Sequence, residues 1–405
     1  MTAPRSWRAH LEQHVLPWWE RAADDERGGV LTCFDNAGRL LSEEKYTWSQ
    51  GRWAWLCAEL ADEAEAGRLD LDAAMWRRRA GETARFLADH ALTPDHRTAF
   101  RLDRTGHQLV SGADGEVSTS VFADLFAVLG LAGALRTPGA PTHWQTSAMA
   151  LLDVAERSIA DRTARSEPYP VPSGFRDLAG PMSLLHTAAE LERARPGCGA
   201  GAVRDRAADA LTEQFFGAGT WWEFAPEAPA DATTLLARHR TPGHLLECLW
   251  MLVHAGADVP LERLEALALR ALAIGWDDAE GGILRYADAD GGRPCGTSFG
   301  DVPYEALVRS TWDTKLWWVH AEALYATSLL AARCASAELA RWHERVAGYT
   351  MATFPDPAGE WLQIRDRAGR PLDAVVALPV KDPFHIIRSL IFLNREAQNE
   401  GPESD

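Results

Sequence analysis

Lysine is nearly missing from this chain of 405 residues: Lys45, Lys315 and Lys381 are the only three, and arginine supplies almost all of the 41 basic positions. Against 58 acidic residues this leaves a formal charge of −17, a surface that repels nucleic acid and anionic membrane. The six cysteines (Cys33, Cys57, Cys198, Cys248, Cys295, Cys334) are scattered, with no C-x-x-C pair. That excludes a disulfide framework and a Cys/His zinc quartet, and it reads as reduced thiols in a cytoplasmic protein. No apolar run approaches the roughly 18 residues of a membrane span, and the start, Met1-Thr-Ala-Pro-Arg-Ser-Trp7, carries no apolar leader. Also missing are His-Glu-x-x-His, the Gly-x-x-x-x-Gly-Lys loop and the Gly-x-Ser-x-Gly elbow. Gly197-Cys-Gly199-Ala-Gly201 follows a helical stretch, where a phosphate cradle would follow a strand. The expectation is a chain with no metal site and no cofactor.

What the chain has is helices. Apolar periodicity broken by Gly, Pro and Asp predicts them at about 5–23, 47–66, 71–92, 118–136, 142–164, 177–195, 200–218, 241–257, 259–275, 310–333, 336–353 and 383–396. Short β-like pieces lie between, at Gly29–Leu41, Ala99–Val110, Gly282–Arg293 and Trp361–Pro371. An even helix count alternating with turns and small hairpins fits an all-α toroid of inner and outer helices, an (α/α)6 barrel with one central funnel; a two-domain helical arrangement is the alternative. A composition 46% hydrophobic and 24% charged supports one large core. The expected organisation is a single catalytic domain over 1–396 and an acidic tail over 397–405.

Two helix starts carry chemistry. Arg240-Thr-Pro-Gly-His244-Leu-Leu-Glu247 delivers an imidazole after a Pro-Gly break, with Glu247 one turn on, able to orient it or tune its charge. Lys381-Asp-Pro-Phe-His385-Ile-Ile-Arg388 repeats the plan with His and Arg three apart. A lone histidine is more often a satisfied packing residue; the repetition argues for proton transfer. His186, four before Glu190, is a third candidate, and His239 could hold an anionic group. Seventeen tryptophans are many for this length, and several adjoin charges: Trp48-Ser-Gln50-Gly-Arg52-Trp53-Ala-Trp55, Trp221-Trp222-Glu223 and Lys315-Leu-Trp317-Trp318-Val-His320-Ala-Glu322. Flat apolar faces beside donors and acceptors suit a polyhydroxylated ring.

With Gly28-Gly29-Val-Leu-Thr-Cys33, Ser120-Val-Phe-Ala-Asp124, Glu167-Pro-Tyr-Pro170 and Gly275-Trp276-Asp277 added, the chain resembles the N-acylglucosamine 2-epimerase family over nearly its whole length. The resemblance implies the (α/α)6 barrel. It makes His244 and His385 the proton-transfer pair, Arg52 a substrate-binding arginine and Glu247 a supporting glutamate, with His186 beside them. Trp48, Gln50, Asp124, Trp317, Trp318, Glu322 and Arg388 complete the expected substrate site. His186 is the residue that cellobiose epimerases and mannose isomerases carry there, where acylglucosamine epimerases carry Asn. Asp382 stands where the family usually has Gly.

The implied reaction opens a reducing sugar to its aldehyde. An imidazole removes the C2 proton to form a cis-enediolate, and return of a proton to the opposite face gives the 2-epimer. Return to C1 gives the ketose. Imidazole suits this work because its ordinary pKa of about 6.5 allows both acid and base roles at neutral pH. Two other readings compete. An (α/α)6 glycoside hydrolase would use two carboxylates, with Asp124, Glu223, Glu247 and Asp313 as candidates. A non-catalytic interaction protein would be indifferent to loss of either histidine. The expected partner is a small-molecule sugar, with a homodimer left open, and no loop argues for a nucleotide effector.

Overall fold

In the computed structural model, which describes residues 6–111, 115–217, 219–374 and 379–399, six helices form a closed inner ring. They are Thr47–Glu65, Val121–Leu135, Ala179–Ala194, Pro242–Ala255, Trp317–Arg333 and Phe384–Asn399, each packed on the next and the last on the first. Outside them lie the helical stretch 7–22, Ala73–Phe86 with its continuation to Ala91, Thr142–Ala160, Ala200–Ala210 with its continuation to Phe215, Leu261–Gly275 and Ala337–Thr353. This is the (α/α)6 barrel that the periodicity predicts.

The division into rings follows from composition. Val121–Leu135 (VFADLFAVLGLAGAL) is apolar on all sides, as an inner helix must be, and nearly every residue is buried. Leu261–Gly275 buries a single stripe, Leu264, Leu267, Ala268, Ala271 and Leu272, and leaves its other face to solvent. The first two inner helices approach closely because Gly51 faces Phe126: a Cβ there would stand 1.9 Å from the Phe126 carbonyl oxygen.

Short strands precede four inner helices and fix their starts. Lys45–Tyr46 pairs with Arg101–Leu102, Phe175–Asp177 with Phe224–Pro226, His239–Arg240 with Ala287–Asp288, and Lys315–Leu316 with Ile364–Arg365, all antiparallel. The three lysines serve the same end of the barrel. All are buried, and each clamps a loop carboxylate: Lys45 to Asp24 at 3.0 Å, Lys315 to Asp277 at 3.5 Å and Lys381 to Glu360 at 3.0 Å. Carbonyls of Gly28, Arg367 and Trp361 take further ammonium protons, so each buried charge is both paired and hydrogen-bonded.

Several boundaries differ from expectation: the second inner helix starts at Val121, past 118, and the helix expected to reach 164 ends at Ala160. The helix expected at 310–333 starts at Trp317, because Pro303–Thr311 forms its own short helix and Lys315–Leu316 is drawn into a strand. The last helix runs to Asn399, past the expected boundary at 396; the remainder of the expected tail, 400–405, lies outside the described residues.

Candidate active site

All six inner helices lend residues from their first two or three turns to one cavity of about 250 Å³. Trp48 and Arg52 come from the first helix, Phe122 and Phe126 from the second, Met182 and His186 from the third. His244 and Glu247 come from the fourth, Trp317 and Trp318 from the fifth, His385 and Arg388 from the sixth. Residues as far apart in sequence as Trp48 and Arg388 thus meet. Six helix N-termini, each carrying partial positive charge, surround a space where negative charge would be favoured.

The two principal histidines are built alike. His244 Nδ1 lies 2.7 Å from Glu223 Oε1, and His385 Nδ1 lies 2.7 Å from Glu322 Oε1. A carboxylate can only accept, so each Nδ1–H donates, and Nε2 is the nitrogen left to gain or lose a proton. Both rings abut the indole of Trp318, at centroid distances of 4.9 Å for His244 and 5.8 Å for His385. Gly243 is what lets Trp318 in: a Cβ there would stand 2.8 Å from the indole.

Their electrostatics differ. Burial alone would lower the pKa of His244, but the charge and hydrogen bond of Glu223, helped by Glu247 and Asp177, raise it above the ordinary value. Burial pushes His385 down to about 3; Arg52 and Arg388 add to that effect, while Glu247 and Asp382 oppose it. The surroundings of His244 thus favour its protonated ring, and those of His385 the neutral one.

Arg388, 1% exposed, spans the carboxylates beneath His385: its Nη2 donates to Glu247 and Glu322, each at 2.6 Å. Glu247, Glu322 and His385 bring their donor atoms within 4.8 Å of one another, as a cation site would, and the cation among them is this guanidinium. Arg52 is held by Asp382 and sandwiched by aromatic rings, with its guanidinium carbon 4.6 Å from Trp48, 4.0 Å from Phe126 and 4.8 Å from Phe384. Asp382 itself is fixed by Gln363, which bonds both its N–H and its carbonyl at 3.1 Å, and its Oδ1 accepts from Phe384 N at 2.7 Å, capping the sixth helix. Buried atoms at the lining remain without a hydrogen bond among the described residues: Arg52 Nε, Arg388 Nε and Nη1, His186 Nε2, Trp317 Nε1 and Glu223 Oε2. Such groups call for a ligand or water rich in oxygen.

Of the expected site residues, His244, His385, His186, Glu247, Arg52, Trp48, Trp317, Trp318 and Arg388 line the cavity. Glu322 stands just behind it, holding His385, Arg388 and the indole nitrogen of Trp250. Gln50 does not contribute: its amide closes on both backbone groups of Val30, at 2.8 and 2.9 Å, and builds the first hairpin. Asp124 does not either, being spent on Thr98 and Arg97. Of the two roles expected of Glu247 toward His244, orienting falls to Glu223, since Glu247 bonds Arg388, while Glu247 does help raise the His244 pKa. His239, expected to be able to hold an anionic group, donates from Nδ1 to Leu236 O at 2.6 Å and is packed among Phe224, Tyr286 and Tyr304 as a buried core residue. Sequence reasoning missed Asp177, Arg285, Asp382 and the true role of Glu223. For Glu223 the signal was the neighbouring Trp221-Trp222, but nothing local points 21 residues ahead to His244.

The architecture is that of an (α/α)6-barrel protein equipped for acid–base chemistry on a polar ligand. A family model described as N-acylglucosamine 2-epimerase (GlcNAc 2-epimerase) matches residues 202–389. The chain is 27% identical to an N-acylglucosamine 2-epimerase from Bos taurus, over 98% of this chain and 92% of that protein. The chain is therefore similar in sequence to N-acylglucosamine 2-epimerases along nearly its whole length. In structure it is similar to the cellobiose 2-epimerase from Bacillus thermoamylovorans B4167, with a TM-score of 0.73 and 17% identity over 96% of this chain and 98% of that one. A D-mannose isomerase superposes with a TM-score of 0.75 and 16% identity, over 96% and 97% of the two chains.

Proposed function

We propose that this protein is a sugar 2-epimerase or isomerase that moves the C2 proton of an open-chain aldose between two imidazoles. The observation that carries this reading is the pair His244 and His385, each backed at Nδ1 by a buried carboxylate, both against Trp318. The N-acylglucosamine 2-epimerases among its relatives, and the sugar epimerase and isomerase folds it shares, support the same class.

With the sugar's C2–H facing His385, the neutral Nε2 takes the proton, and the C–H electron pair forms the C1=C2 bond of an enediolate. Arg52 and the surrounding helix N-termini stabilise the oxygen charge. His244, whose protonated form Glu223 favours, delivers a proton to C2 from the other face and inverts it. The reverse reaction exchanges the roles. Return of the proton from His385 to C1, with the hydroxyl proton passing from O2 to O1 as C2=O forms, gives the ketose, so the same site accommodates isomerisation. Arg388 donates to both Glu322 and Glu247 and fixes their positions, and Glu322 in turn holds the His385 tautomer. His186, with its Nε2 unpartnered at the lining, is placed to hydrogen-bond a sugar oxygen.

The glycosidase reading finds little support. Asp124 and Asp313 do not line the cavity, Glu223 is engaged by His244, and Glu247 is engaged by Arg388. The test is incubation with N-acetylmannosamine, mannose, glucose, fructose, cellobiose and sulfoquinovose in D2O, following products and C2 deuteration by NMR. One sugar of the panel acquires deuterium at C2 together with its epimer or ketose. Hydrolysis of cellobiose with no C2 exchange in any sugar would overturn the proposal.

A further inference from the structure

Each arginine described so far at the cavity is answered by carboxylates: Arg52 by Asp382, Arg388 by Glu247 and Glu322. Arg285 is not. It lines the same cavity and is only 6% exposed, yet its side chain makes no hydrogen bond or ion pair with any described residue. Its one marked contact is the ring of Tyr286, with the guanidinium carbon 4.9 Å from the centroid. A charge nine-tenths buried is ordinarily paired, because removal from water is costly without a compensating partner.

The backbone shows that this placement is built. Arg285 N donates to Thr314 O at 2.9 Å and Tyr286 N to Trp312 O at 3.1 Å, which fasten the segment between the fourth and fifth inner helices. The next residues, Ala287–Asp288, pair with the strand His239–Arg240 that leads into the His244 helix. Arg285 is therefore anchored to the elements that carry His244 and Trp318. A flexible surface arginine could fold back to solvent; this one is held at the lining with its donors uncommitted.

We infer that Arg285 is a specificity-determining substrate contact, whose guanidinium donates to non-reacting oxygens of the sugar on the His244 side of the cavity. The inference rests on the proposed reading of the cavity as a sugar site. Arg52 and His385 serve the reacting carbons; Arg285 fixes the remainder of the molecule so that C2 falls between the imidazoles. A planar fork matches two neighbouring oxygens, or an acyl oxygen with a hydroxyl, in a way that a single ammonium does not.

The test uses the full chain and two variants, Arg285→Gln and Arg285→Lys, both checked for wild-type circular dichroism and melting. Arg285→Lys retains the stem and the charge, so it covers the event that Arg285→Gln fails to fold. The probes are the alditols of mannose and of N-acetylmannosamine, which cannot be isomerised, with binding measured by calorimetry. Arg285→Gln weakens binding about 10–100-fold, the usual scale for a charged hydrogen bond, and Arg285→Lys restores only part of it. In turnover the loss falls mainly on KM, with kcat much less affected. Equal loss for both alditols assigns the contact to hydroxyl oxygens; loss confined to the acylated one assigns it to the acyl oxygen. Because binding is read without turnover, a loss of alditol binding in a protein that epimerises no sugar would retain Arg285 as a contact while the catalytic proposal fails. Unchanged alditol binding in both folded variants, or failure of the wild type to bind either alditol, would overturn the inference.

Discussion

His244 Nδ1 is hydrogen-bonded at 2.7 Å to a Glu223 carboxylate that is 1% exposed, although Glu247 on its own helix is the nearer acid in sequence. The partner that sets an imidazole's charge comes here from the preceding hairpin, while Glu247 turns to Arg388. The proton inventory of the site thus depends on tertiary structure at each histidine.

Glu223→Gln tests that dependence. The amide can still accept from Nδ1–H, so the ring stays oriented, but the negative charge that raises the His244 pKa is gone. Turnover falls about 10–100-fold, the scale seen when a buried orienting partner of a histidine is lost. The proton on His244 is lost as pH rises through its raised pKa, so the alkaline limb of the rate profile moves to lower pH in the variant. A pH profile superimposable on the wild type would show that Glu223 is packing only.

Asp382→Asn addresses Arg52, the arginine proposed to meet the enediolate. Asn still caps the last helix, so the fold should hold, but the ion pair that fixes Arg52 is reduced to a neutral contact. We expect kcat to fall about tenfold with little change in Tm. A loss of stability without a loss of kcat would make Asp382 a structural cap.

Much of this was legible beforehand. Helix positions followed from periodicity, and the helix starts at Pro242 and Phe384 from their breaks, because local steric rules decide both. The convergence of Arg52, His244 and His385 was anticipated because each stands at the start of an inner helix. The failures share a cause. Gln50 and Asp124 carry the right chemistry at the right place in a helix, yet backbone groups of Val30 and Thr98, distant in sequence, claim them first. Arg285 sits in a hairpin whose approach to the cavity depends on strand pairing, for which periodicity gives no signal.

Acid should unfold this protein through its histidines. His10 and His239 are lowered to about 4, His320 and His385 to about 3, and His186 well below its ordinary value, all with burial as the leading cause. The unfolded chain binds protons at these groups from about pH 6.5 downward while the folded chain does not, so stability falls as pH drops from about 6.5 toward 4. His254, lowered to about 4, adds to this effect; Asp177, pushed up to about 6 by burial, acts in the opposite sense, as do Asp124, Glu360 and His244, whose pKa values are also raised. Urea midpoints measured from pH 7 to pH 4.5 should decrease steadily; a flat series would contradict the neutral, buried state of these rings.

The most direct measurement of the central claim is C2 deuterium exchange in D2O by folded His244→Ala and His385→Ala, using whichever sugar the wild type converts. Inversion needs both imidazoles, so epimerisation should fall about 10²–10⁴-fold in each variant, the usual contribution of a positioned acid or base. With the epimer whose C2–H faces His385, His244→Ala should still incorporate deuterium at C2 with retained configuration, whereas His385→Ala should not. Wild-type rates of epimerisation in either folded variant would contradict the two-imidazole mechanism.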